Sequence, residues 1–283
     1  MTHPVIEQLT ALARESGGTG EAAVLYARGD VLVVRVGGVV AKAHRAETTD
    51  LPARAAVAAG HPGLLLPPIR VPDPVDGRTV SVWPAGEPVD PADPFGAPWE
   101  EAGRLLARLH ALPVPAGLPP QGAPLRVREV LTRPLPDSPA ARTILRAYAT
   151  LPDVLEAPGT ARLVHGDFHL GQLVRCGGGW RLIDIDDLGH GDPVWDLARP
   201  AALFAAGVLP DEVWSRFLHA YLSAGGTDLG PDPWARLDIP AQALAIQTAA
   251  RCVSKAVDEG RTLNEYETTL IDACDRISSS RNA

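Results

Sequence analysis

Between residues 22 and 43 three short apolar runs follow one another with almost nothing between them: residues 22–26, 31–36 and 39–43. Their connections, Arg28-Gly29-Asp30 and Gly37-Gly38, have the length and chemistry of hairpin turns. A parallel crossover needs a dozen or more residues, so these runs predict an antiparallel meander. The pattern then changes. From Trp99 onward, Trp99, Ala102, Leu106, Leu109 and Leu112 recur at helical spacing, with Glu100 and Glu101 in the first turn, where the helix dipole favours acids. Residues 139–151, 211–224 and 240–277 also read as helical, and the tail from Ser278 as frayed. Strands first and helices afterwards predict an α+β chain.

Around this frame, residues 4–16 predict an amphipathic helix with Pro4 in its first turn and Val5, Leu9 and Leu12 on one face. Residues 51–59 predict a short helix capped by Thr48 or Thr49, and residues 79–83 (TVSVW) a further strand. The breaker-rich stretch PAGEPVD places a lobe boundary there, giving a small N-terminal lobe, 1–87, and a larger one, 88–283.

Charge and cysteine usage exclude several classes. The net charge is −8 with no basic stripe, which argues against a nucleic-acid partner. No apolar stretch approaches the ~20 residues of a membrane span, and no signal-like segment opens the chain. Cys176, Cys252 and Cys274 form no CxxC pair, so a reducing, cytoplasmic setting is expected. Residues 91–283 carry 24 acids against 18 bases, a net −6 that suits a cationic partner or simply keeps the surface solvated. Lysine occurs only at positions 42 and 255, and Lys42 lies within an apolar strand.

Residues 163–187 read LVHGDFHLGQLVRCGGGWRLIDIDD. A loop holding Asp167 leads to a strand at 172–175, a triple-glycine turn and a returning strand at 180–185. Hairpin pairing would gather Asp167, Gln172 and Asp184 around one small space. Two carboxylates and an amide oxygen are hard ligands suited to magnesium and nucleotide. Phosphoryl transfer to a hydroxyl needs a carboxylate for the acceptor, another for the metal, a cation for the phosphates and a slot for the base. Asp167, Asp184 and Lys42 fit the first three, and the strand with Ser81, Val82 and Trp83 offers backbone groups to adenine.

HGDFHLGQ, LIDIDD and GDPVWDLA, with the strand lysine upstream, resemble the aminoglycoside-phosphotransferase superfamily. That resemblance spans residues 39–199 and implies a protein-kinase-like, two-lobed fold. ATP would bind between the lobes and magnesium would serve as the metal. It implies Asp167 as catalytic base, Gln172 and Asp184 as magnesium ligands, Lys42 on the phosphates and Asp196 as a structural support of the catalytic loop. Gln172 stands where the family has Asn, as in its maltokinase and glucosamine-kinase branches. The family's helix glutamate, partner of the strand lysine, has no counterpart in LPARAAVAAG, and Glu47 and Asp50 are the nearby substitutes. The implied activity is phosphorylation of a small acceptor at a hydroxyl. A cationic antibiotic, an aminoglycoside or basic peptide drug whose modification would confer resistance, is the first expectation. A sugar or amino-sugar kinase is the alternative, and an inactive nucleotide-binding regulator the second.

Other residues carry simpler readings beside these. His165 and His169 stand at zinc-pair spacing, but Gly166 and Gly171 oppose a helix there, so His165 reads as structural and His169 is left open. Strand alternation puts Asp186 on the same face as Asp184, either at the metal or on the solvated side. Asp187 and Asp192 read as loop acids. Asp196 also suits a plain helix cap, and the Leu105–His110 stripe reads as core.

Overall fold

The computed structural model describes residues 4–46, 48–152 and 161–280. Its first elements are α1 (Pro4–Glu15), the strands β1 (Ala22–Arg28), β2 (Val31–Val36) and β3 (Val39–Ala43), helix α2 (Leu51–Gly60), then β4 (Val80–Pro84) and β5 (Glu87–Pro88). Helices α3 (Trp99–His110), α4 (Ala123–Thr132) and α5 (Pro139–Tyr148) follow, then strands β6 (Arg162–Val164), β7 (Leu173–Cys176), β8 (Gly179–Leu182) and β9 (Gly189–Gly191). Helices α6 (Val194–Ala206), α7 (Asp211–Ser223), α8 (Trp234–Asp258) and α9 (Glu265–Ser280) complete the chain. The α+β expectation is met. The chain divides into two compact units, one of residues 1–94, 115–119 and 170–188, the other of residues 95–114, 120–169 and 189–283.

In the first unit, β1 to β4 form an antiparallel sheet in sequence order. Alternation decides its faces. Leu32, Val34 and Val36 of β2 and Val39, Ala41 and Ala43 of β3 pack against Val5, Leu9 and Ala13 of α1. Each large side chain removed from water there contributes about 1.5–3 kcal/mol. Lys42, opposite in parity to Ala41 and Ala43, therefore projects from the other face. The turn after β2 needs glycine: Gly37 has φ +56°, and a Cβ there would lie 2.4 Å from the Thr19 carbonyl oxygen.

The same unit holds a three-stranded sheet ordered β5-β7-β8. Gly177 and Gly178, with φ of +60° and +80°, make the tight turn between β7 and β8. Two sequence expectations are corrected here. Gln172 lies in a single 3-10 turn, Leu170–Gln172, rather than in the strand. The returning strand stops at Leu182, and the chain passes through Asp184 at φ +60° into a second 3-10 turn, Ile185–Asp187. Strand alternation therefore has no bearing on Asp184 and Asp186. In α2, Asp50 rather than Thr48 or Thr49 occupies the N-cap position and makes no side-chain cap bond.

The second unit is mostly helical. Phe217 of α7 packs edge-on to Trp99 of α3 at 5.8 Å and stacks on Phe168 at 6.1 Å, which ties the residue after Asp167 into the core. Gly103 of α3 allows α7 to approach closely, for a Cβ there would meet the Phe217 carbonyl oxygen at 2.5 Å and the Tyr221 nitrogen at 2.9 Å. Of the tail expected to fray, residues 278–280 are helical and Ser278 is buried, while residues 281–283 lie outside the described residues. No helix among the described residues is long and apolar enough to cross a membrane. Because backbone rather than a flexible side chain blocks the Gly103 Cβ, Gly103→Ala should force α3 and α7 apart and cost about 1–3 kcal/mol. Urea unfolding of the two proteins measures it, and equal midpoints would contradict the close approach.

Candidate active site

In the first unit the functional residues assemble around Lys42. Its ammonium lies 2.6 Å from Asp184 Oδ1 and 2.9 Å from Asp186 Oδ2. Both carboxylates thus take the place of the absent helix glutamate. Glu47 falls outside the described residues, and Asp50 contributes its backbone carbonyl to Arg54 rather than its side chain to Lys42. Burial works against the Lys42 charge, but the two carboxylates outweigh it and hold the ammonium above its ordinary pKa. Asp186 is tied further by His44, whose Nδ1 is 2.7 Å from Asp186 Oδ1 and whose Nε2 is 2.6 Å from Ser81 Oγ. Burial alone would raise the Asp186 carboxyl. The His44 hydrogen bond and the Lys42 charge prevail and keep it far below the usual carboxylate range.

Gln172 joins this group through its amide, Nε2 donating to Asp184 Oδ2 at 3.4 Å. From α2, the buried Arg54 donates to the carbonyl oxygens of Leu188 and Asp186, so the helix that lacks a glutamate grips the backbone of the acidic turn instead. Ser81 and Trp83 lie on β4, beside β3. The Ser81 hydroxyl is buried between His44 and the Trp83 indole N–H, and both residues face β3 in register with Lys42 and Val40. Val82 donates its amide to Arg70, and its carbonyl accepts from Ile69 and Arg70. The Val82 amide and carbonyl are thus engaged within the protein.

Magnesium, implied by the resemblance, can be tested against this donor set. Among the described residues no cluster of three or more His, Cys, Asp or Glu is arranged to hold a metal. Asp184 and Asp186 are nonetheless hard oxygen donors already gathered around a cation, the Lys42 ammonium, and the Gln172 amide stands beside Asp184. Magnesium at phosphates ordinarily takes only one or two carboxylates from protein, so the set fits.

The second unit holds Asp167. Arg199 Nη2 of α6 lies 3.0 Å from its Oδ1, and Arg126 Nη2 of α4 lies 3.6 Å from the same oxygen. Arg126 also donates to the Gly166 carbonyl, fixing the loop. Burial tends to raise the Asp167 carboxyl, but Arg199 and Arg126, with His169 and Arg251, hold it below its ordinary value. The loop is pinned by Asp196. Its two oxygens accept from the backbone amides of His165 (2.7 Å) and Gly166 (2.8 Å), and Oδ2 is also 2.9 Å from His110 Nε2, whose other ring nitrogen is 2.8 Å from the Tyr221 hydroxyl. Asp196 is thus a loop anchor, while Asp192 takes the capping bond, to the Val194 amide.

Sequence reasoning missed His44, Arg54, Arg126, Arg199 and His110. Only His44 left a local signal, since it stands two residues after Lys42 and so continues the same face. His110 was read as core, which its burial satisfies while hiding its bonds.

Residues 23–238 match the model of the phosphotransferase enzyme family, known as APH, and the chain belongs to that family. Over 129 residues it is 35% identical to a glucosamine kinase of Streptacidiphilus jiangxiensis, a stretch that is 39% of this chain and 28% of that protein. Choline kinase LicA of Streptococcus pneumoniae superposes with a TM-score of 0.66 at 15% identity, covering 98% of both chains. A thermostable mutant of an aminoglycoside phosphotransferase, in ternary complex with AMP-PNP and hygromycin B, gives 0.62 at 14% identity, covering 96% of this chain and 98% of that one. These likenesses establish a protein-kinase-like fold.

The Asp196 carboxyl yields a pH prediction. Burial raises it, but the His110 hydrogen bond and the charges of His110 and His165 outweigh that and hold it low. A carboxyl lowered in the folded state contributes stability above its unfolded pKa of about 3.9, and that contribution is lost as pH falls through the folded value. Asp196→Asn should cost about 3–5 kcal/mol at neutral pH. Its urea midpoint should also fall less than the wild type's between about pH 5 and about pH 3. Parallel pH dependences would mean that Asp196 is not held low.

Proposed function

We propose that this chain is a kinase that transfers the γ-phosphoryl group of ATP to a hydroxyl of a small polar molecule. The observation that carries the reading is the Lys42 ammonium held between Asp184 and Asp186, a ready exchange site for phosphates and their metal. The unit holding β1 to β4 and residues 170–188 serves the nucleotide. Lys42 turns to its phosphate oxygens, while Asp184, Asp186 and Gln172 are the groups that would hold magnesium. When bound, the metal neutralises charge developing on the phosphate oxygens. Asp167, kept ionised by its arginines, orients the acceptor hydroxyl and takes its proton late, since a carboxylate of lowered pKa is a weak base. Asp196 holds the backbone of residues 165 and 166, and so the position of Asp167.

Two acceptor classes compete. A cationic antibiotic was suggested by the net charge of residues 91–283, and the family includes aminoglycoside phosphotransferases among its folds. A sugar acceptor is suggested by the HLGQ ending and by the partial likeness to a glucosamine kinase. The two guanidiniums on Asp167 oppose a polycation next to the reacting hydroxyl, which favours the polyhydroxylated class. An inactive regulatory protein is disfavoured because Asp167, Asp184 and Lys42 all persist.

The test is turnover with ATP and magnesium across a panel of hydroxyl acceptors, read as the mass gain of one phosphate. Asp167→Asn should lower kcat by about 100-fold or more with little change in ATP affinity. More than about a tenth of wild-type kcat would remove Asp167 from this role. Lys42→Met should raise the KM for ATP and lower kcat together, with Lys42→Arg rescuing only part, because the guanidinium is planar and larger than the ammonium it replaces. Wild-type kinetics in Lys42→Met would place the phosphates elsewhere.

A further inference from the structure

The surroundings of Asp167 say more about the acceptor, if the kinase reading above holds. Both arginines approach one oxygen, Oδ1, and none of the described residues' hydrogen bonds or ion pairs ends on Oδ2. Oδ2 is the atom left to receive a hydroxyl. Arg199 is only partly used. Its Nη2 goes to Asp167, its Nη1 lies 3.4 Å from Thr248 Oγ1, and its buried Nε meets no acceptor among the described residues. A buried guanidinium N–H without an acceptor is costly, and such a donor ordinarily finds one when a ligand arrives. Arginine presents its N–H groups in a planar fork matched to the two oxygens of a carboxylate or phosphate.

Charge points the same way. Two guanidiniums, those of Arg199 and Arg126, face the Asp167 carboxylate, both on Oδ1. An acceptor hydroxyl on Asp167 Oδ2 brings its neighbouring substituents beside Arg199 and Arg126. An ammonium there would be repelled at short range, where salt screens little because the groups are half-buried. We propose that the acceptor carries an anionic oxygen group, a carboxylate or a phosphate, close to the hydroxyl that is phosphorylated, and that Arg199 binds it through its unused Nε–H.

Four pyranoses that differ in one charged group provide the test: glucuronate, glucose 6-phosphate, glucose and glucosamine. Their binding to the full chain is measured by calorimetry, in the wild type and in Arg199→Gln. The acids should bind at least about tenfold more tightly than glucosamine, and that advantage should shrink to about twofold or less in Arg199→Gln, the size expected when a charge-assisted pair is removed. Preference for glucuronate or for glucose 6-phosphate tells carboxylate from phosphate. Arg199→Lys, which keeps the charge and loses the fork, should fall between the two. It also serves if thermal melting shows that Arg199→Gln does not fold. Equal or tighter binding of glucosamine, no binding of either acid, or an advantage that survives in both variants would overturn the proposal. So would a loss of MgATP binding in Arg199→Gln with sugar binding unchanged, since the fork would then belong to the nucleotide. Failure of the wild type to bind MgATP at all would instead sink the kinase reading, which makes the two failures distinguishable.

Discussion

A carboxylate taken out of water must be compensated or it gives up its charge, and the candidate residues in each unit are organised around that constraint. Asp186, Asp167 and Asp196 are largely buried, and every one is held low by a different kind of partner. Asp186 has an ammonium and an imidazole. Asp167 has two guanidiniums. Asp196 has two backbone amides and an imidazole, which spends its charge on fixing a loop. The partners differ because the tasks differ. An ammonium on a flexible stem can exchange partners, whereas amide donors in a loop cannot move without moving the loop.

The same constraint explains how the chain does without the helix acid that its family pairs with the strand lysine. A glutamate in α2 would add a further negative charge to a site where Asp184 and Asp186 already hold Lys42 at 2.6 and 2.9 Å. Arg54 in that helix does the opposite and donates to the carbonyl oxygens of the acidic turn. Helix and turn are still coupled, but through backbone rather than through the lysine. His44 then supplies the restraint on Asp186 that the second carboxylate needs, and Ser81 holds His44 in turn.

How much of this could be read in the sequence follows from the range of each interaction. The meander was legible because two short turns and a period of two leave no other pairing. Lys42 and Asp184 were legible because strand context and spacing mark them. The geometry after Leu182 was not, since Asp184 at φ +60° breaks the strand that alternation assumed, and nothing local requires a non-glycine residue there. Arg126, Arg199 and His110 were invisible for a different reason. Each reaches a partner 30 or more positions away, Arg126 and Arg199 at Asp167, His110 at Asp196 and Tyr221. Arginine and histidine in amphipathic helices look the same whether they face solvent or a buried acid.

Net charge alone does not decide the acceptor, for a related reason. The −6 of residues 91–283 is a sum over a surface, and most surface charge is screened within about a Debye length, some 8–10 Å at ordinary salt. What an acceptor meets at the reacting atom is set by groups within hydrogen-bond reach, and if that atom lies at Asp167, two guanidiniums stand beside it. The acidic exterior can slow or speed the approach of a charged molecule. On the proposed reading, discrimination at the hydroxyl belongs to Arg126 and Arg199, because charges largely withdrawn from water act in a medium less polarisable than water. A chain can thus be acidic overall and still hold guanidiniums beside a buried carboxylate.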